Sequence, residues 1–131
     1  MTIENTGKDI LANLDDWFTM FPNHNKFEEY EMLTYVSKQS AGHRYPIHDE
    51  HPYKCLSFVT YVYPEQGCGT SLYQTENDHT AFATIPWQVG RTFVFAGQTG
   101  KTWHSYESGP NTRITLNHFV IKKGELMSFK H

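Results

Sequence analysis

The sequence predicts an all-β fold, of the sandwich, barrel or jelly-roll kind, with one helix flanking it at the N-terminus. Aromatic residues, which favour strands, are abundant: nine Phe, eight Tyr and three Trp. Turn residues recur about every ten positions after residue 40, which is the spacing of short antiparallel strands. The chain has 131 residues and neither a long linker nor an internal repeat, so we expect a single domain, residues 1–131.

The flanking helix is predicted over about residues 9–20. Its apolar side chains recur with the helical period: Ile10, Leu11, Leu14, Trp17 and Phe18. Thr6 and Asp9 have the spacing of an N-terminal capping box, and Pro22 follows the end of the segment. Because the apolar stripe needs a partner, we expect this helix to pack on the outer face of a sheet.

Seven or eight short strands are predicted after the helix, forming a barrel over about residues 33–121. Pro46 biases Tyr45 away from helix, so the segment around it is predicted to be extended. The extended segments, separated by turns, are 32–39, 43–50, 54–64, 70–74, 79–85, 91–96, 102–107 and 112–123.

Composition argues against several classes of partner. The chain has 11 Lys and Arg against 14 Asp and Glu and lacks a basic stripe, so we expect no nucleic-acid partner. The N-terminus has no signal-peptide pattern and no apolar run is long enough to cross a bilayer, so we expect a cytoplasmic protein with no membrane partner.

Cys55 and Cys68 fit no disulfide scaffold or metal motif and are predicted to be free thiols. The oligomeric state is left open between a monomer and a homodimer.

The segment "YPIHDEHPYK", residues 45–54, carries the first candidate site. In an extended chain residues two apart share a face, so His48 with Glu50, or Asp49 with His51, could present two ligands to one divalent ion. The third ligand has to come from elsewhere in the fold. With 8 His and 14 acids in the chain, a His-x-acid pattern arises by chance about once, so a polar loop is the alternative interpretation.

The last predicted strand carries the second candidate site. Alternation places one set of side chains on a single face: Arg113, Thr115, Asn117 and Phe119. An arginine, a hydroxyl and an amide form an unusual core face unless that face binds an anion. The alternative is that Arg113 is solvated on an open sheet face.

The chain resembles the iron(II)- and 2-oxoglutarate-dependent oxygenases, and the prolyl-hydroxylase-like branch in particular. The resemblance covers about residues 33–121 and rests on "HDE…KCLSFVTYVYPEQGCGTSLY…WHSYESGPNTRITL". These segments hold a His-x-acid pair, a glycine-rich turn, a distal histidine and an arginine nine residues after it. The family usually has Asp where this chain has Glu50. The resemblance implies a double-stranded β-helix, a cupin-like jelly roll.

The resemblance also implies a catalytic site. His48, Glu50 and His104 would be the metal ligands and catalytic residues. Arg113 would bind the far carboxylate of 2-oxoglutarate, helped by Thr115 and Tyr61. The cofactors would be Fe(II) and 2-oxoglutarate, with O₂ as co-substrate. The activity would be a dioxygenase that hydroxylates an unidentified substrate, either a peptide prolyl residue or a small metabolite.

A second class of function is a cupin-like protein that binds a metal or a small ligand without oxygenase turnover. Arg113 and Tyr61 discriminate between the two, because a metal-binding cupin has no need of a group that holds a keto acid.

Overall fold

The computed structural model describes residues 3–129, and its elements follow the predicted order closely. Each predicted extended segment overlaps one strand. The helices are α1 (Ile3–Ala12) and α2 (Leu14–Met20), with a 3₁₀ turn at Leu126–Phe129, and the strands are β1 (Tyr30–Gln39), β2 (Arg44–His48), β3 (Lys54–Tyr63), β4 (Thr70–Tyr73), β5 (Ala83–Ile85), β6 (Thr92–Ala96), β7 (Trp103–Glu107) and β8 (Arg113–Lys122). No helix within residues 3–129 is long and apolar enough to cross a membrane.

The strands form two four-stranded sheets, and every pairing in them is antiparallel. Sheet 1 has the order β1-β8-β3-β6, and sheet 2 has the order β2-β7-β4-β5. Strands adjacent in a sheet are mostly distant in sequence, as expected where the chain passes repeatedly between two sheets. The predicted all-β jelly-roll fold is therefore confirmed.

The flanking helix differs from the prediction, because two short helices replace the single one. The chain leaves helical geometry at Asn13, which has φ −120° and ψ 28°. The Asn13 side-chain amide donates to the carbonyl of Asp9 at 2.8 Å, and such side-chain bonds compete with the helical backbone pattern. The predicted capping box is also wrong, because α1 begins at Ile3 and Thr6 lies inside it.

The helices pack on the outer face of sheet 1, as predicted, and the main apolar core lies there. Ile10 of α1 belongs to a buried cluster with Leu56, Phe58 and Val120. The Trp17 ring stands edge-on to the Phe58 ring, with centroids 4.9 Å apart. Burying an isoleucine or leucine side chain stabilises the fold by about 1.5–3 kcal/mol. Buried polar side chains lie on the opposite, inner face of the same sheet.

The inner face of sheet 1 carries the polar residues. On β8 the predicted alternation is observed, and a buried polar or aromatic set faces sheet 2: Arg113, Thr115, Asn117 and Phe119. Arg113 is 3 % exposed, so the interpretation of a solvated arginine is wrong. Ser57 and Tyr61 of β3 pair with Phe119 and Thr115, and residues opposite each other share a face.

Candidate metal centre

His48 and His104 are neighbours across sheet 2. They lie opposite each other in the β2–β7 pairing, and their ring centroids are 4.1 Å apart. His48 Nδ1 lies 2.9 Å from the carbonyl oxygen of Pro46, and His104 Nδ1 lies 2.7 Å from that of Thr102. A carbonyl oxygen only accepts, so each Nδ1–H donates and each Nε2 is the atom left to bind a metal.

Glu50 follows β2 and turns its carboxylate into the same space, where it is almost fully buried. Its Oε1 lies 3.2 Å from His104 Nε2. Its Oε2 accepts a hydrogen bond from Ser57 Oγ at 2.9 Å and lies 3.4 Å from Lys54 Nζ. Burial alone would raise the pKa of Glu50, but in the metal-free protein the hydrogen bond from His104 and the charge of Lys54 outweigh it and lower the pKa to about 2. The carboxylate is therefore ionised and pre-oriented.

Asp49 and His51, the other pair, do not join this group. Asp49 accepts hydrogen bonds from the backbone N–H groups of Gly100 and Thr102 and from the Thr102 hydroxyl. These bonds hold the turn whose Thr102 carbonyl in turn orients His104. His51 Nδ1 accepts from the backbone N–H of Tyr53 at 3.2 Å.

The three predicted ligands thus converge. One ligand atom from each of His48, Glu50 and His104 lies within 4.8 Å of the others. Nitrogen and oxygen ligands bind divalent metals at about 2.0–2.3 Å, so atoms on one ion lie within about 4.6 Å of each other. Two imidazoles and one carboxylate on one side of an ion leave positions open opposite them. The group can therefore hold a divalent metal with room for further ligands, and the residues present fit Fe(II).

Arg113 lies in the same cavity without an acidic partner. Its Cζ is 4.2 Å from the centre of the Tyr106 ring and 5.3 Å from that of Trp87. Its Nε is buried and has no hydrogen-bond partner, and none of the ion pairs in the described part of the chain includes it. A buried cation without a counter-ion is costly, which makes this position a candidate anion site.

Thr115 and Tyr61, the other two predicted contacts, differ in position. Thr115 lines the cavity next to Arg113 along β8. Tyr61 is fully buried, its hydroxyl lies 2.8 Å from Thr70 Oγ1, and its ring stacks on Trp87 at 4.2 Å. Thr70, and not Tyr61, is among the residues that line the cavity. A direct contact of Tyr61 with a ligand stays a prediction; the structure places it as support beside Arg113.

The cavity that joins these groups has a volume of about 850 Å³ and is lined by both sheets. Three further residues of the site are not among the predicted site residues: Lys54, Ser57 and Tyr106. Tyr106 lies two residues after His104 on β7, so alternation along that strand is a signal for it. Lys54 and Ser57 lie in the "KCLSFVTY" segment of the resemblance, but their contacts with Glu50 depend on the tertiary structure.

The site predicts a pH-dependent stability of the metal-free protein. Burial, with the neighbouring His104, lowers the pKa of His48 from 6.5 to about 4. Between these values the unfolded chain binds a proton that the folded chain does not, so stability falls as the pH falls from about 6.5 to 4. In urea unfolding, the free energy of unfolding of the wild type should fall over this pH range by roughly 1–2 kcal/mol more than that of His48→Gln, allowing for solvent screening. Equal losses in the two proteins would contradict the assignment.

Comparison with known proteins supports the fold but does not identify an activity. No protein-family model and no curated protein matches the chain. A prolyl hydroxylase of Trichoplax adhaerens, solved with a peptide fragment of the oxygen degradation domain of hypoxia inducible factor, has a TM-score of 0.56 and 16 % identity. The match covers 94 % of this chain and 60 % of that chain. This likeness is one of fold.

Two further solved structures are weaker matches. A RmlC-like cupin protein of Desulfovibrio desulfuricans has a TM-score of 0.36 at 14 % identity, over 70 % of this chain and 74 % of that chain. A Bacillus endospore appendage protein, from a family of disulfide-linked pili, has a TM-score of 0.45 at 12 % identity, over 75 % of this chain and 92 % of that chain. Neither likeness is strong enough to indicate a function.

Proposed function

We propose that this protein is an Fe(II)- and 2-oxoglutarate-dependent dioxygenase that hydroxylates a second substrate. The observation that carries the proposal is the presence of Arg113, a buried cation without an acidic partner, in one cavity with the His48, Glu50 and His104 group. A metal-binding cupin needs the three ligands only. A site for a metal-bound keto acid needs the three ligands and a cation for the remote carboxylate.

Each residue has a stated role in this proposal. His48 and His104 would hold the ion through Nε2, and Glu50 would hold it through its carboxylate, one oxygen of which contacts Ser57 and Lys54. The bound Fe(II) would supply oxidation by O₂, in which one oxygen atom enters the succinate formed from 2-oxoglutarate with release of CO₂ and the other enters the hydroxyl group of the substrate.

Arg113 would bind the remote carboxylate with its planar guanidinium, and Thr115 would donate its hydroxyl to the same group. The inner walls contributed by Val59, Phe93 and Phe95 limit the water in the cavity, which strengthens the charged contacts. Because the guanidinium already packs against the Tyr106 ring, it is held in place before the ligand arrives.

The proposal includes two substrate classes. One is a peptide with a prolyl residue, which is the class that the hydroxylase neighbour suggests. The other is a small metabolite. The neighbour was solved with a peptide fragment of the oxygen degradation domain of hypoxia inducible factor. This chain spans 60 % of that chain, so both substrate classes are proposals.

The test is turnover of 2-oxoglutarate in air with Fe(II) and ascorbate. We expect succinate to form with the wild type and not with His104→Ala, because that variant lacks one of the three convergent ligand atoms. Tight binding of a metal together with neither succinate formation nor 2-oxoglutarate binding would contradict the proposal and favour the cupin-like binding protein.

A further inference from the structure

Four polar side chains on β1 and β8 form a group in the cavity. Gln39 lies directly opposite Arg113 in the β1–β8 pairing. Two residues further into each strand, Ser37 lies directly opposite Thr115. Opposed residues of an antiparallel pair share a face, with Cβ atoms about 4.5–5.5 Å apart, and all four residues line the cavity. Gln39 is thus the β1 residue that is paired with the arginine of the candidate anion site.

Gln39 and Arg113 each have a buried polar atom without a hydrogen-bond partner. In Gln39 this atom is the amide oxygen Oε1, and in Arg113 it is Nε. A buried polar atom without a partner destabilises the folded protein, because it has lost its contacts with water and gained none. Two such atoms on directly opposed residues indicate a position suited to a polar group of a ligand.

The Gln39 amide can turn over without losing its contact with Ser37. In the ligand-free protein its Nε2 donates to Ser37 Oγ. A serine hydroxyl can donate as well as accept, and a half-turn of the amide exchanges its nitrogen with its oxygen. After the half-turn Ser37 Oγ donates to Oε1, and Nε2 takes the place of the oxygen on the side of Arg113. Gln39 can therefore present a hydrogen-bond donor to an anion that Arg113 binds.

We infer that Gln39 is a specificity-determining residue of the keto-acid site, and that its amide N–H donates to the remote carboxylate bound by Arg113. The inference rests on the proposed function, because it concerns the keto acid of that same site. A carboxylate has two oxygens and about four lone-pair positions, which is enough for Arg113, Thr115 and Gln39 together. The carboxylate also gives both unpartnered atoms a partner, since Nε donates to it and Oε1 accepts from Ser37 after the half-turn.

The experiment compares two keto acids on the Mn(II)-loaded protein. 2-Oxoglutarate has the remote carboxylate, whereas 2-oxopentanoate has a methyl group in its place and the same keto-acid end. Mn(II)-induced relaxation of the ligand ¹H signals measures the affinity of both, including weak binding. Gln39→Met should weaken 2-oxoglutarate binding by about 10–100-fold, the effect of one hydrogen bond to a charged group, and leave 2-oxopentanoate binding unchanged. The matched control Gln66→Met, at an exposed glutamine outside the cavity lining, should change neither affinity.

Gln39→Glu is a second test, with a readout that a misfolded variant could not give. The glutamate places a carboxylate opposite Arg113, where it acts as an internal counter-ion and competes with the keto acid. We expect the ligand-free variant to unfold at a higher temperature than the wild type. It should bind 2-oxoglutarate at least about 30-fold more weakly, because the arginine is already paired. Mn(II) affinity should stay unchanged, since Gln39 is not in the ligand group.

Two results would overturn the inference. One is equal weakening of both keto acids in Gln39→Met, because a residue with a merely structural role affects both alike. The other is unchanged 2-oxoglutarate affinity in Gln39→Met or Gln39→Glu, which would place the amide away from the carboxylate. Titration of the wild type separates this failure from that of the proposed function: a wild type that binds Mn(II) but not 2-oxoglutarate contradicts the proposed function itself.

Discussion

Replacing His104 by alanine is expected to abolish binding of both Mn(II) and 2-oxoglutarate. His104 supplies one of three convergent ligand atoms, and its Nε2 lies 3.2 Å from Glu50 Oε1. Substitution of residues that merely orient a ligand costs about 10–100-fold in metal affinity, so removing a ligand should cost at least about 100-fold. Keto-acid affinity should fall with it, because the keto acid docks mainly through the ion. Calorimetric titration with Mn(II), which avoids oxidation, measures both losses.

Two further variants test which histidine of the 48–51 segment is a ligand. His48→Ala should lose metal as His104→Ala does, whereas His51→Ala should retain it, because the His51 ring is engaged with the Tyr53 backbone. Thermal unfolding without metal serves as the folding control for all three. Metal loss in His51→Ala with retention in His48→Ala would reverse the assignment of the pair.

Replacing Arg113 by methionine is expected to separate keto-acid binding from metal binding. Methionine keeps apolar contact with the Tyr106 ring but removes the charge and the planar fork. Loss of one partner of a buried charge-assisted contact costs roughly 2–5 kcal/mol, so 2-oxoglutarate affinity should fall by that amount. Mn(II) affinity should change little, since Arg113 is not in the ligand group. Arg44→Met, at an exposed arginine paired with Glu107, is the matched control.

The same variant has an independent readout in the unfolding temperature. In the ligand-free protein Arg113 is a buried charge without a counter-ion, so Arg113→Met should unfold at a higher temperature than the wild type. Saturating metal and 2-oxoglutarate should reverse the order, because only the wild type gains the carboxylate contact. Equal 2-oxoglutarate affinity in wild type and Arg113→Met would contradict the role assigned to this residue.

In the proposed function, the position of Glu50 explains how a glutamate can act where the family that the chain resembles usually has aspartate. The longer side chain places one oxygen against Ser57 and Lys54 and the other toward His104. Because Ser57 and Lys54 contact one oxygen of Glu50, only its other oxygen is available to an ion, which would make Glu50 a monodentate ligand. Lys54 and Ser57 lie within the first four residues of β3, so the strand that carries the core also positions the ligand.

The sequence by itself determined the features that depend on local periodicity. Alternation along a strand decides which side chains share a face, and so the residue pattern alone places Arg113 and Thr115 on one face. Turn residues mark where strands end, and each of the eight strands overlaps one predicted segment. The helix was predicted less well, because the Asn13 side chain breaks it by a bond that apolar spacing does not report.

Only the tertiary structure decided which pair of the 48–51 segment faces inward, since both pairs satisfy the same alternation. The choice follows from Asp49 binding the turn at 100–102, a contact between residues about fifty positions apart. The meeting of Glu50 with His104, Lys54 and Ser57 likewise depends on how two sheets pack. Periodicity predicts the face of its own strand on which a side chain lies. A site requires side chains from several strands to converge on one point, and their convergence is set by strand register and sheet packing.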